Sequence, residues 1–166
     1  DGWQGGLYTR DSRSADFLRQ YGRVFEAVEG NTTFYAEPSP RTVSKWDREV
    51  PSGFRFCFKL PRTITHDAML RDVRDETLLF LERIHPLGDK LGPVMIQLPP
   101  PFGPAELPRL ERFLSELPED FRYAVELRDP MLAEEGMPAR LADELIEEAG
   151  VGRVIMDTRP LRDGPD

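Results

Sequence analysis

Five short apolar segments alternate with helix-like segments along this chain, and this alternation is the strongest constraint on its fold. The apolar segments cover 24–31, 54–60, 93–98, 123–128 and 153–157. Helical patterns cover about 14–21, 40–49, 75–84, 108–117 and 138–149. Strands that alternate with helices form a parallel sheet covered by helices. The sequence therefore predicts an α/β fold, either a doubly wound sheet or a TIM-type (β/α) barrel.

Side-chain parity within the strands helps to separate these two architectures. Successive side chains point to opposite faces of a sheet. One parity is bulky and apolar, as in Phe54, Phe56 and Phe58, whereas the other is smaller and becomes polar where each strand ends. A doubly wound sheet needs apolar side chains on both faces, while a barrel carries its site at the carboxyl ends of its strands. The pattern favours the barrel, here partial, with about five readable parallel strands and flanking helices.

Composition narrows the class of protein. The chain has 166 residues and 39% apolar residues, which suits one domain over 1–166. The net charge of −8 argues against general affinity for nucleic acid, and two histidines are too few for a histidine-rich metal cluster. Cys57 is the only cysteine, so an internal disulfide is excluded. Since there is no long apolar run and no signal-like leader, we expect a cytoplasmic protein without a membrane span.

Polar residues at the strand ends form the predicted site. Lys59 faces the interior side, and because a buried ammonium without a partner is costly, we expect it to contact Glu29, Glu126 or a ligand anion. The residues predicted to be catalytic are Glu29, Lys59, His66, Glu126 and Asp157, and those predicted to bind substrate are Asn31, Tyr35, Arg62, Gln97 and Arg128. Two structural alternatives stay open: a salt bridge between Glu126 and Arg128 that joins neighbouring strands, and a His66 that only caps its loop.

Several motifs resemble those of a known family. "VEGNTTFYAEPSPRTVSKW", "FRFCFKLPRTITH", "PLGDKLGPVMIQLPPPF", "AVELRDP" and "VIMDT" together look like the YecE-like family, domain of unknown function 72. The resemblance implies a TIM-barrel-like fold and no established reaction, and most of the site residues fall in its motifs. The chain departs from the family pattern in lacking the usual first strand and the last βα units, so we expect part of a (β/α)8 barrel. It also has Gly30 where family members usually have isoleucine.

Three classes of function are compatible with these residues. The first is an enzyme that binds or transforms a small polar anion, such as a sugar phosphate or nucleotide-like compound, by general acid–base chemistry. Lys59, Arg62 and Arg128 would hold the anion. The second is nucleic-acid binding or metal-dependent phosphodiester hydrolysis, with Mg²⁺ or Mn²⁺ on Glu29, Glu126 and Asp157. The third is a non-catalytic binding or scaffold protein. The sequence requires no cofactor and assigns no metal ligand.

Overall fold

The computed structural model describes residues 3–134 and 136–155. Within them, five short strands follow one another along the chain: β1 (Ala27–Gly30), β2 (Arg55–Phe58), β3 (Val94–Gln97), β4 (Tyr123–Glu126) and β5 (Gly152–Arg153). Every strand pairing is parallel. The strands are shorter than the sequence predicts, since Val24 and Phe25 precede β1 and Leu60 follows β2. The predicted α/β fold with parallel strands is confirmed.

The lateral order of the strands is their order along the chain. β1 pairs with β2, and β3, β4 and β5 form a second sheet. Two isolated parallel bridges, Phe56 with Leu91 and Lys59 with Met95, join the two sheets. A doubly wound sheet reverses its strand order at a switch point, and no reversal occurs among the described strands. The described residues also contain no closed sheet. The prediction of a barrel is therefore confirmed only in part, as an α/β fold with parallel strands.

Seven α-helices occur in the described residues: five match predicted helical segments, and two short helices, directly after β1 and β4, were not predicted. They are α1 (Phe17–Tyr21), α2 (Thr32–Tyr35), α3 (Pro40–Glu49), α4 (Arg74–Ile84), α5 (Leu107–Ser115), α6 (Pro130–Ala133) and α7 (Met137–Glu148). α3 begins at Pro40 because the Ser39 side chain accepts a hydrogen bond from the Thr42 amide at 3.1 Å. After α7, Gly150 adopts a φ of 67°, the left-handed conformation that commonly ends a helix.

The apolar core lies between the helices and one face of the strands. Phe56 and Phe58 of β2 are buried on this face, and Trp46 of α3 packs on Phe58 with ring centroids 5.1 Å apart. Gly30 lies beside Phe58 in the β1–β2 pairing. A Cβ atom at Gly30 would lie 2.5 Å from two ring carbons of Phe58, so this glycine allows the two strands to pack closely.

Within the described residues, none of the helices combines the length and the apolar character needed to span a membrane.

Candidate functional site

The strand register brings the polar strand-end residues to one face. Residues that are partners in neighbouring parallel strands point to the same side of a sheet. Glu29 is the partner of Cys57, Lys59 of Met95, and Gln97 of Glu126. The face opposite the apolar core therefore carries the predicted polar groups of four adjacent strands at their carboxyl ends.

Lys59 contacts Glu29, which is one of the three partners expected from its sequence position. Its Nζ atom lies 2.8 Å from Oε1 of Glu29, and the Lys59 side chain is only 12% exposed. Thr33, in α2, fixes the backbone here, because its buried hydroxyl lies 2.8 Å from the Lys59 carbonyl oxygen and 3.1 Å from the Gly30 carbonyl oxygen. The end of β1 and the end of β2 are thus held together by an ion pair and by a side-chain hydrogen bond.

Glu126 and Arg128 form a second ion pair. Arg128 donates from Nε to Oε1 of Glu126 over 2.6 Å. The Glu126 side chain is 6% exposed and that of Arg128 is 37% exposed. Both residues belong to the end of β4, so the contact does not join two strands as the structural alternative supposes. A nearly buried carboxylate needs such a cation, because an unpaired charge there would be strongly unfavourable.

His66 lies in a π-helical turn, Thr63–Asp67, that follows β2. Nδ1 of His66 lies 2.9 Å from the Thr65 hydroxyl oxygen, and that hydroxyl donates to the Pro61 carbonyl oxygen at 3.3 Å. A hydroxyl that donates to Pro61 can at the same time accept from Nδ1–H. In that tautomer of the neutral imidazole, Nε2 is unprotonated, which is the form that can accept a proton from a substrate.

The surroundings of His66 favour this neutral form. Burial is the largest cause that lowers the pKa of His66, and the positive charges of Arg62 and Arg128 lower it further, against the opposing charges of Asp67 and Glu126. Phe34 of α2 packs edge-on against the imidazole, with ring centroids 4.9 Å apart. Both guanidinium charges therefore act on the imidazole in the direction that keeps it neutral.

The backbone after this turn is strained. Met69, Leu70 and Asp72 have φ angles of 50°, 62° and 51°, which non-glycine residues rarely adopt. Such strain persists only where the surrounding structure enforces it, and it is often concentrated at ligand sites. This strain and the π-helical turn together indicate that the loop after β2 is a candidate part of a ligand site.

Gln97 lies between the two ion pairs. It ends β3, with Lys59 at the end of β2 on one side and Glu126 of β4 on the other. The residue is 6% exposed, and its Oε1 atom has no hydrogen-bond donor among the described residues. Buried amide oxygens are nearly always hydrogen-bonded in proteins, so this acceptor calls for an additional donor.

The remaining predicted residues lie around this cluster. Arg62 donates to Asp67 at 3.2 Å, so Lys59, Arg62 and Arg128 are each paired with a carboxylate. Asn31 precedes α2 without capping it, and Tyr35 is 79% exposed. Asp157 lies outside the described residues. Sequence reasoning missed Thr33 and Phe34, whose roles depend on contacts across the fold, although both adjoin Asn31 in the motif.

A large groove lies elsewhere. It has a volume of about 1100 Å³ and runs between α5 and α7, where it reaches the amino ends of the strands at Pro93, Tyr123 and Gly152. The polar cluster lies at the opposite ends of these strands. Among residues 3–134 and 136–155, no group of three or more histidine, cysteine or carboxylate side chains is arranged to hold a metal ion.

Comparisons with known proteins agree with this architecture. A family model described as "Protein of unknown function DUF72" matches residues 1–165. Two proteins called UPF0759 protein YecE, from Escherichia coli K12 and Escherichia coli O157:H7, are 45% and 44% identical over 144 residues, which cover 87% of this chain and 53% of each relative. The chain thus spans about half the length of the curated relatives it matches.

Two solved structures are also similar. A DUF72 family protein from Thermotoga maritima is 28% identical, with a TM-score of 0.76 over 93% of this chain and 60% of that chain. A DUF72 family protein from Enterococcus faecalis is 24% identical, with a TM-score of 0.73 over 84% of this chain and 53% of that chain. The latter likeness concerns the fold alone.

Proposed function

This chain belongs to the DUF72 family of proteins of unknown function, and we propose that it binds a small polar anion at the carboxyl ends of its strands and transforms it by general acid–base chemistry. The observation that carries the proposal is the pair of carboxylate-anchored arginines, Arg62 after β2 and Arg128 after β4, whose charges both lower the pKa of His66. A proton acceptor beside two cations suits a substrate that carries both an anionic group and an exchangeable proton.

The two arginines would bind the anionic group. Each is anchored through Nε, Arg62 to Asp67 and Arg128 to Glu126. A guanidinium has five N–H donors, so an arginine held through Nε keeps its two terminal nitrogens for a phosphate or carboxylate. The anchoring carboxylates also fix the direction of these side chains, which reduces the entropy lost on binding.

His66 would then act as the general base. In the tautomer with its proton on Nδ1, which the Thr65 hydroxyl can accept, Nε2 would be available, and the lowered pKa of His66 favours the neutral ring near pH 7. Glu126 would stabilise His66 once it is protonated, since its negative charge acts on that ring. The Lys59–Glu29 pair would supply a second site for proton transfer, with Asn31, Tyr35 and Gln97 as contacts to the substrate.

We further propose that the five strands are consecutive strands of a TIM-type barrel wall. Their lateral order and parallel direction are those of such a wall. The similar solved chains are longer than this one, which accounts for only 60% of the Thermotoga maritima protein.

The proposal is tested by thermal shift of the purified protein against inorganic phosphate, small organic phosphates and carboxylates. Arg62→Gln removes one exposed anion ligand, and Arg112→Gln, on the exposed side of α5, is the matched control. At a concentration near 100 times Kd, a ligand that binds only the folded state adds about 2.7 kcal/mol to stability. The wild type and Arg112→Gln should be stabilised, and Arg62→Gln much less.

Two outcomes would contradict the proposal. If no anion stabilises the wild type, the polar groups at the carboxyl ends of the strands do not form an anion site. A non-catalytic scaffold role then becomes the better explanation. If anions stabilise all three proteins equally, binding occurs elsewhere. Replacement of His66 by glutamine separates binding from catalysis, because it should leave anion affinity nearly unchanged while it removes the general base.

A further inference from the structure

Gln97 occupies the centre of the candidate site, and its chemistry bears on which anion the site accepts. It ends β3, between the Glu29–Lys59 pair on one side and the Glu126–Arg128 pair on the other. The arginines that we assign to the anion lie after β2 and β4. Gln97 therefore lies where the part of the ligand that is not the anionic group would rest.

Gln97 is nearly buried, so its amide depends on a specific hydrogen-bond partner. The residue is 6% exposed, and Oε1 lacks a donor among the described residues. The ammonium of Lys59, at the end of the neighbouring strand, lies 2.8 Å from Glu29. A buried acceptor left in this state destabilises the folded protein, and a donor on a ligand would relieve that cost.

Glu126 offers a second acceptor beside Gln97. The two residues are partners in the β3–β4 register, so their Cα atoms are separated by about 4.8 Å, the usual distance between neighbouring strands. Arg128 binds Oε1 of Glu126 and leaves Oε2 for another donor. Two acceptors on adjacent strands suit two donors on adjacent carbon atoms.

We propose that Gln97 and Glu126 accept hydrogen bonds from two neighbouring hydroxyl groups of the ligand, so the bound anion is a polyol phosphate or polyol carboxylate of the sugar-phosphate type. This inference rests on the proposed function, because it assigns the anionic group to the arginines. Inorganic phosphate, polyphosphate and simple alkyl phosphates lack these hydroxyl donors. A site with a buried polar group left unpaired rejects such ligands strongly, as seen where enzymes discriminate against analogues that lack a hydroxyl.

The test is calorimetric titration of the wild type and of Gln97→Met with four probes. These are inorganic phosphate, n-butyl phosphate, a pentose 5-phosphate and a hexose 6-phosphate. Methionine has a similar length without the amide, and Met95→Leu, on the same face of β3, is the matched control. In the wild type and the control, at least one sugar phosphate should bind about tenfold or more tightly than n-butyl phosphate.

In Gln97→Met this preference should fall to within about threefold, while the affinity for inorganic phosphate stays the same. A preference that survives in Gln97→Met would overturn the assignment of Gln97. A second measurement needs no variant: among deoxy analogues of the preferred sugar phosphate, removal of one of two adjacent hydroxyls should reduce wild-type affinity. Equal affinity for all the deoxy analogues would also overturn the inference.

Failure of this inference differs from failure of the proposed function. If inorganic phosphate and n-butyl phosphate bind, and neither sugar phosphate binds more tightly, the anion site stands and the paired hydroxyl acceptors do not. If none of the four probes binds the wild type, the anion site itself is wrong, and the assignment of Gln97 falls with it.

Discussion

Gly30→Ala is expected to destabilise the protein, although alanine usually suits a strand better than glycine does. The added Cβ would lie 2.5 Å from Cδ1 and Cε1 of Phe58, whereas carbon atoms in contact are normally about 3.5–4.0 Å apart. The Phe58 ring would therefore have to move by about 1 Å. It is buried and packs against Trp46 and Phe56, with centroid distances of 5.1 and 5.5 Å, so it has little room to do so.

The expected magnitude follows from two opposing effects. Overpacking of a core typically costs about 1–3 kcal/mol. Replacement of glycine by alanine returns about 0.5–1 kcal/mol, because the unfolded chain loses conformational freedom. The difference is a net loss of about 0–2.5 kcal/mol in the free energy of unfolding, and because the crowded ring is buried, we expect a value in the upper half of that range. An isoleucine at position 30 would need still more space, so it would require a side chain smaller than phenylalanine at position 58.

Urea unfolding measures this loss as a lower midpoint with an unchanged slope. Gly53→Ala is the control, because a Cβ atom at Gly53 meets nothing within 4 Å. In the double variant Gly30→Ala/Phe58→Leu, the smaller side chain should accommodate the methyl group, which gives a coupling energy of at least about 0.5 kcal/mol. If Gly30→Ala is as stable as Gly53→Ala, or if the two substitutions are additive, the close contact does not constrain the packing.

Three further predictions concern single side chains near the site. Thr33→Val should lower the free energy of unfolding by about 1–2 kcal/mol, because it removes a buried hydroxyl that binds the Lys59 and Gly30 carbonyl oxygens, and urea unfolding would detect this; an unchanged midpoint would refute it. Burial, and to a smaller extent the charge of Glu29, raise the pKa of the Cys57 thiol. Its reaction with a thiol reagent at pH 8 should therefore be slow, and it should be faster in Glu29→Gln. Equal rates in the two proteins would count against this electrostatic effect. The pKa of His66 is lowered in the folded state, so the unfolded chain takes up this proton first as pH falls. Stability should therefore decline below about pH 6.5, down through the folded pKa, and less steeply in His66→Gln; parallel pH profiles for the two proteins would show that His66 is not perturbed.

Much of the fold was predictable because it depends on local periodicity. The alternation of bulky and small residues in 54–60 identifies which face of β2 packs on the helices, and it places Lys59 on the opposite face. The need of a buried ammonium for a carboxylate then limits its partners to a few residues, and Glu29 is the one it contacts. These inferences use only the strand period and the cost of burying a charge.

The environment of His66 was not predictable from the same rules. Its orientation depends on a π-helical turn and on left-handed residues at Met69 and Leu70, and neither has a dependable signature in a single sequence. The Oε1 atom of Gln97, which has no donor among the described residues, likewise depends on the orientation of side chains from neighbouring strands, where Lys59 binds Glu29 and Arg128 binds Glu126. The lateral order of the strands also depends on contacts between distant residues. The sequence therefore favours a barrel wall but does not determine whether the barrel closes.

The two hydrogen-bonded sheets meet between β2 and β3. Two isolated bridges join the two hydrogen-bonded sheets there, and the backbone bonds from Gly92 N–H to Phe56 and from Leu60 N–H to Met95 cross it. Lys59 belongs to one sheet, and Gln97 belongs to the other. A ligand that contacts both side chains would connect the two sheets. Ligand binding should therefore slow amide hydrogen exchange at Leu60 and Gly92, and this slowing should be much larger than at amides within either sheet.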